Sequence, residues 1–268
     1  MKKLFIICLA VVMTVVFGFT TVNAEPSAKA TAQIGDLGVV DVSKSGGSGV
    51  TGEGNTGWRT LFTQDIKTPT GKDLFINVSL ECGLTTDTTV MSKKLARAVA
   101  EAEAVVEVRV VVDSVPVPVN GNEPADTDIT FARRNQQLIA EFAGDISGCM
   151  TIVVNDNDTP DDFTDDYDEI VIDWACVSPE MLQLILDTMQ ANSFNFIVPD
   201  LFAGTHTVQI QAKLSYLATG NLVQETIDAE LLTLAWGSAA ARAYLGNGSV
   251  TIETVRMIKD EDVIVDLD

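Results

Sequence analysis

From Asp73 to Ile252 the chain repeatedly alternates apolar with polar residues, and a two-residue period admits little besides extended strands with one buried face. Leu74, Ile76, Val78, Leu80 and Cys82 share one parity, while Asp73, Asn77, Ser79 and Glu81 take the other with Phe75 as the only intruder. Ala102, Ala104, Val106, Val108, Val110 and Val112 likewise oppose Glu101, Glu103, Glu107 and Arg109. The density of β-branched residues decides for strand there, although Lys93 to Ala100 has the composition of a helical turn. Ile170, Ile172, Trp174 and Cys176 share a parity, as do Phe194, Phe196 and Val198, and then Val208, Ile210, Ala212, Leu214 and Tyr216.

Turn residues punctuate these runs at Pro116 to Pro124, at Ala203-Gly204 and at Gly246-Asn247-Gly248. After the last of these, Val250 and Ile252 point one way and Val255 and Met257 the other, so a β-bulge is expected near Thr254. Residues 181–189 fit two patterns. Ser178-Pro179-Glu180 is a good helix start and Met181, Leu182, Ile185, Leu186 and Met189 make a helical stripe, yet Leu182, Leu184 and Leu186 alternate. Strand is preferred because every neighbouring run is a strand. Ten or more short strands without a long amphipathic helix imply an all-β fold, an antiparallel β-sandwich of jelly-roll or Ig-like type.

The N-terminus is organised differently. Lys2 and Lys3 precede an apolar run from Leu4 to Phe19, and Val22-Asn23-Ala24 supplies small residues before Glu25, the layout of a cleavable secretory signal over residues 1–24. The run is shorter than the roughly 20 residues a spanning helix prefers, so no membrane insertion is expected after cleavage. Residues 25–57 read as an arm with one strand-capable segment around Ile34 to Val42, followed by the Gly/Ser-rich linker Ser43 to Gly49. The arm fits an edge strand of the same domain, a strand donated to a neighbouring copy, or a tail. Residues 58–268 form the β-sandwich domain.

Charge narrows the partners. The chain carries 17 Lys plus Arg against 38 Asp plus Glu, and without residues 1–24 the count is 15 against 38, a net of −23. Such a surface excludes nucleic acid and anionic membranes as natural partners and leaves cations, neutral glycans and other proteins. In an oxidising compartment Cys82, Cys149 and Cys176 allow three single disulfides and one leftover thiol. Cys149 with Cys176 is favoured, since each ends a strand-like run and an acidic loop separates them; Cys82 closes an apolar face and reads as a buried thiol.

Catalytic sets are hard to assemble from these residues. His206 is the only histidine, and its parity with Val208, Ile210 and Ala212 makes it a cap on the inner face of a strand. No Gly-x-Ser-x-Gly elbow and no multi-histidine metal motif occurs, and Gly246-x-Gly248 reads as a hairpin turn. A pair of carboxylates such as Glu103, Glu107 or Glu253 would suffice for glycoside hydrolysis in a cleft, which keeps an acidic secreted glycoside hydrolase among the readings.

The strongest site candidate is the run Asn155 to Glu169, with eight acids in fifteen residues. Crowded carboxylates repel one another, and a hard divalent cation offsets that by taking six to eight oxygens, a demand that suits calcium. The run resembles the Asp-rich calcium loops of thrombospondin type 3 and dockerin-like segments, which implies Asp156, Asp158, Asp161, Asp162, Asp165 and Asp166 as ligands. It departs from them in having Pro160 and no glycine. A solvated acidic hairpin loop is the competing reading. Separately, Phe194 to Val198, Gly204 to Ala212 and Gly248 to Glu253 resemble the closing strands of secreted jelly-roll or Ig-like proteins, which implies the fold and no activity.

The expected function is therefore that of a non-enzymatic secreted or cell-surface β-sandwich, structural, adhesive or filament-forming, with calcium as a candidate stabiliser, the N-terminal arm as a candidate route to self-assembly, and a surface protein or glycan as a further candidate partner. A carbohydrate-binding module is the alternative. It would need exposed aromatic platforms, and with Trp174 on an inward parity only Trp58 and Trp236 remain among the tryptophans.

Overall fold

The computed structural model describes residues 30–46, 51–119, 126–155, 167–227 and 229–256. These form thirteen strands, every pair antiparallel, in two packed sheets and one separate hairpin. The all-β sandwich expected from the alternation is what the chain adopts.

The front sheet has the order β1 (Ala30–Gly46), β13 (Glu230–Val255), β4 (Lys72–Ser92), β10 (Glu180–Leu201), with β12 (Leu222–Ile227) beside the start of β13. The back sheet centres on β11 (Gly204–Gly220) and β5 (Arg97–Val112). Strands β3 (Arg59–Thr68) and β2 (Gly52–Asn55) line the outer edge of β11, while β7 (Asp128–Glu141) and β6 (Val115–Pro116) line that of β5. Strands of 21, 22 and 26 residues at about 3.3 Å per residue give the front sheet a length on the order of 70 Å.

The core lies between the sheets and follows the parity of the sequence. Leu74 through Leu84 on β4 and Val106 through Val110 on β5 turn inward at the even positions and are buried. Alanines dominate one end of this interlayer: Ala98, Ala100, Ala102 and Ala104 on β5 share the core with Ala235, Ala239, Ala241 and Ala243 on β13. Small side chains let the backbones approach. A Cβ at Gly237 would lie 2.0 Å from the Val99 carbonyl oxygen, so only glycine fits where β13 crosses β5. Asn221, at the corner where the chain passes from β11 to β12, ties this end together. Its Oδ1 accepts from Val99 N at 2.7 Å, its Nδ2 donates to Arg97 O at 2.7 Å, and its own carbonyl accepts from Gly237 N at 2.8 Å.

Polar side chains stitch the opposite seam, between β7 and β10. Gln136 is buried, with Oε1 accepting from Thr86 Oγ1 at 2.7 Å and Nε2 donating to Thr88 Oγ1 and to the Leu184 carbonyl. Arg134 donates to Thr188 Oγ1, and Asn192 Nδ2 donates to the Phe131 carbonyl at 2.8 Å.

Three local expectations are corrected. Gly246-Asn247-Gly248 is not a hairpin turn, because β13 runs straight through it. The register against β4 instead shifts between Leu245 and Gly248, where the Glu81 carboxylate accepts from Asn247 N at 3.2 Å and Asn247 Nδ2 at 3.0 Å. The bulge is therefore there and not near Thr254, which stays in register with Leu74. The linker composition of Ser43 to Gly49 does not end the arm's strand either, since β1 stays paired with β13 as far as Gly46. Of Lys93 to Ala100, only Lys93 to Ala96 form a tight turn, with left-handed Lys94 and Leu95, and β5 begins at Arg97.

The strand reading of residues 181–189 holds. Residues 1–24, expected as the signal, lie outside the described residues. Among the described residues no helix is long and apolar enough to cross a membrane.

Candidate functional site

Two neighbouring features break the rule that apolar faces are covered. The first is a hairpin of β8 (Met150–Asn155) and β9 (Tyr167–Ile172), paired from Met150↔Ile172 to Asn155↔Tyr167. Its base is firmly built. Cys149 and Cys176 form the disulfide favoured from sequence, with Cα atoms 5.6 Å apart. Lys93, buried at the end of β4, donates from Nζ to the Trp174 and Val177 carbonyls at 3.2 Å each. Gly144 packs beneath at φ +88°, where a Cβ would lie 2.7 Å from Val177 Cγ1 and 2.9 Å from Ser178 O.

Above that base the hairpin has no sheet against it among the described residues. Met150, Ile152 and Ile170, which fall on one face by their pairing, are 51%, 67% and 64% exposed. The sequence pattern had extended this strand to Trp174 and Cys176. β9 stops at Ile172, and both residues sit in the turn that follows, because Asp173 Oδ1 accepts from Ala175 N at 3.0 Å and caps the turn. Trp174 is therefore not on an inward strand face; it is half-buried, with the Lys94 ammonium 5.5 Å from its ring centre.

The six aspartates named as metal ligands, Asp156, Asp158, Asp161, Asp162, Asp165 and Asp166, lie outside the described residues. Asp168 and Glu169 of the same run are described and exposed on β9. Among the described residues no group of three or more His, Cys, Asp or Glu side chains is arranged to hold a metal ion.

The second feature is β10. It pairs with β4 along one edge, and its other edge meets no strand among the described residues. Apart from the polar stitches to β7, both of its parities reach water. Met181, Ile185 and Met189 on the outward parity are 65%, 57% and 56% exposed, and Leu182, Leu184 and Leu186 on the inward parity are 46%, 40% and 41% exposed. Monomeric proteins normally blunt such an edge with charge, proline or a cover. Here the ambiguity between helix and strand in the sequence was the visible signal: apolar residues on both parities are wrong for a half-buried strand and right for an edge that awaits a neighbour.

His206 caps the inner face of its strand, as expected. Its Nδ1 lies 2.6 Å from Asp113 Oδ2 and its Nε2 2.9 Å from the Phe202 carbonyl. Burial works against the charged imidazole, but the hydrogen bonds to Asp113 and to Phe202, with the carboxylate's charge, outweigh it and raise the pKa above the usual histidine value. Both ring nitrogens face only acceptors, so the geometry favours the imidazolium. Asp113 itself is part of a Asp113-Ser114 turn with both φ angles positive, and it also accepts from Thr207 N at 2.9 Å. The arrangement pins that turn to β11.

Glu103, Glu107 and Glu253 do not converge. Glu103 and Glu107 lie four residues apart on the outer face of the back sheet, paired with Arg133 at 2.9 Å and Lys213 at 2.7 Å, while Glu253 sits exposed on the front sheet. Trp58 is not an open platform, since Arg109 and Lys213 stack over its ring at 4.2 and 4.9 Å. Trp236 is half-buried on β13. An open depression of about 380 Å³ crosses the outer face of the front sheet at the β13 bulge, lined by Ile34, Ser79, Glu81, Ala191, Asn247 and Ser249.

No protein-family profile matches the chain, and no characterised protein matches it in sequence. Among solved structures it is similar to VP2 of infectious bursal disease virus. A mutant VP2 in derived particles is 8% identical, with 88% of this chain and 45% of that chain covered at a TM-score of 0.10. VP2 in a subviral particle is 10% identical, with 88% and 46% covered at a TM-score of 0.11. The chain thus spans less than half the length of these VP2 chains, and a likeness at that TM-score carries no argument about fold or function.

Proposed function

We propose that this protein is a non-enzymatic β-sandwich of the cell exterior that acts through its surface, as a structural, adhesive or filament-forming component, and that copies associate through the N-terminal arm. The observation that carries the reading is the amount of strand edge and apolar hairpin left open, an arrangement that a solitary soluble domain avoids. The disulfide between Cys149 and Cys176 is compatible with an oxidising, extracellular setting.

Support for the arm comes from its seat. β1 is an edge strand hydrogen-bonded only to β13, it lies against β11 and β3 of the other sheet, and Gln33 Oε1 is buried there without a partner among the described residues. The segment after Gly46 is rich in glycine and serine, which permits the same strand to seat in a neighbour. A cysteine pair tests this. Ala32 lies directly opposite Thr251, so Ala32→Cys with Thr251→Cys will yield, on oxidation, a ladder of covalently linked copies if the arm is exchanged. A single monomeric band on a non-reducing gel would count against exchange.

Calcium is proposed as a stabiliser of the acidic run. The pairing Asn155↔Tyr167 holds together the two ends of a segment, residues 156–166, whose sequence carries six aspartates, and six to eight oxygens are what a calcium ion takes. Calorimetric titration with calcium chloride tests it; absence of heat and of any rise in melting temperature at millimolar calcium removes this part of the reading.

A further inference from the structure

The stretch Met181 to Met189 reads Met-Leu-Gln-Leu-Ile-Leu-Asp-Thr-Met, and it is self-complementary about Ile185. We infer that β10 is a two-fold interface: two copies pair their open β10 edges antiparallel, with Ile185 of one copy opposite Ile185 of the other, and so join their front sheets into one. The inference rests on the reading of the protein as self-associating, but it uses a different edge from the arm.

The register follows from chemistry. With Ile185 on the axis, Met181 of one copy faces Met189 of the other and Leu184 faces Leu186, so apolar residues meet apolar residues on both faces of the new sheet. Leu182 faces Thr188, whose methyl group continues the contact. Both acids in reach meet amides: Asp187 faces Gln183 and Glu180 faces Gln190. No like charges oppose, which matters for a chain of net charge −21.

Neighbouring registers fail this test. Moving the axis one residue to Leu184 sets Asp187 against Met181 and Ile185 against Gln183. Moving it to Leu186 sets Met189 against Gln183 and Asp187 against Ile185. Pro179, facing Ala191 in the favoured register, ends the ladder because it has no N–H to give.

Size is sufficient for a specific if modest contact. The six exposed apolar side chains leave on the order of 500 Å² open per copy, the scale at which an apolar patch marks an interaction surface. An isologous contact of this kind closes after two copies. Combined with arm exchange at the opposite edge of the same sheet, it would alternate two kinds of junction along an assembly.

The test uses full-length chains. Ile185→Cys places two thiols across the axis at a Cβ separation of roughly 4.5–5.5 Å, so mild oxidation is expected to give a covalent dimer and no larger species. Ser193→Cys, exposed on the same strand but with no copy of itself opposite, is expected to give none. Sedimentation should show wild-type association that Ile185→Lys reduces to the species arm exchange alone holds together, or to monomers where there is no exchange, with the far-UV circular dichroism of the wild type retained, since Ile185 is 57% exposed in one copy. Equal cross-linking at positions 185 and 193, or an association unaffected by Ile185→Lys, overturns the interface. The arm's cysteine ladder is read separately, so the β10 interface can fall while self-association through the arm stands, and the reverse.

Discussion

The buried cluster of Gln136, Thr86 and Thr88 offers a perturbation whose sign reverses with the number of residues changed. Thr86 and Thr88 are fully buried and Gln136 is 6% exposed, and the amide is the partner of both hydroxyls. Gln136→Leu keeps the approximate volume but removes the acceptor for Thr86, the donor for Thr88 and the donor to the Leu184 carbonyl. Each buried polar group left without a partner costs about 1–3 kcal/mol, and the added apolar surface returns about 1 kcal/mol. With the Leu184 carbonyl open to water, about 2 kcal/mol for each of the two stranded hydroxyls less the roughly 1 kcal/mol returned gives a loss of about 3 kcal/mol, or roughly 6–12 °C of melting temperature for a domain of this size. Adding Thr86→Val and Thr88→Val removes the stranded hydroxyls and leaves only the Leu184 carbonyl, which water reaches because Leu184 is 40% exposed. The triple variant should return to within about 1 kcal/mol of the wild type. Urea unfolding followed by far-UV circular dichroism, compared at constant m-value, measures both. A single variant with the wild-type midpoint, or a triple variant as unstable as the single, would refute the reasoning that hydrogen-bond satisfaction governs this seam.

Other expectations concern individual groups. Cys82, whose pKa burial and then the neighbouring Glu81 push up to about 12, should resist thiol reagents at pH 8 in the native protein and react fully in urea; rapid native labelling would contradict its burial. The His206–Asp113 pair should give a stability contribution confined to a pH window. A raised histidine pKa stabilises below about 6.5 and fades as pH climbs through the folded value, and a lowered aspartate pKa stabilises above about 3.8 and fades as pH falls through the folded value. His206→Gln should lower the melting temperature across the plateau between about pH 3.8 and 6.5 and remove the pair's decline on either side of it, and an unchanged profile would count against the imidazolium. Gly237→Ala should destabilise strongly, by about 3 kcal/mol or more, since its methyl meets the Val99 carbonyl; thermal melts at wild-type values would mean that β13 and β5 can separate at little cost.

Much of this architecture can be read directly from the residues. Leu74 to Cys82 and Val208 to Leu214 declare their inward parity because one face of each is sealed by the other sheet. Cys149 and Cys176 declare their proximity because they flank one hairpin, Cys149 just before β8 and Cys176 in the turn after β9. What alternation does not encode is strand order: apolar residues on both parities of Met181 to Met189 mark a strand without a single buried face, but not that β4 is its neighbour or which of its edges is open. The bulge lies elsewhere for a related reason: Val255 is in the last pair of β13, where parity no longer marks a covered face, and the shift shows instead in the change from buried odd positions, Ala239 to Leu245, to buried even ones, Val250 and Ile252. Gln136 and Asn221 passed unnoticed because a single polar residue carries no periodicity. Of the proposed ion site, the sequence displays the aspartates and the structure the closure of their loop ends, Asn155 and Tyr167.

The Cys149–Cys176 bridge also changes what a protease can accomplish. Every peptide bond between those cysteines belongs to a closed covalent ring, so a cut anywhere in the acidic segment opens the ring without dividing the molecule. β7 and β10, on either side of the hairpin, remain linked through sulfur, and the sandwich seam they share stays joined. The acidic run is thus a stretch where backbone cleavage leaves the two halves of the protein attached.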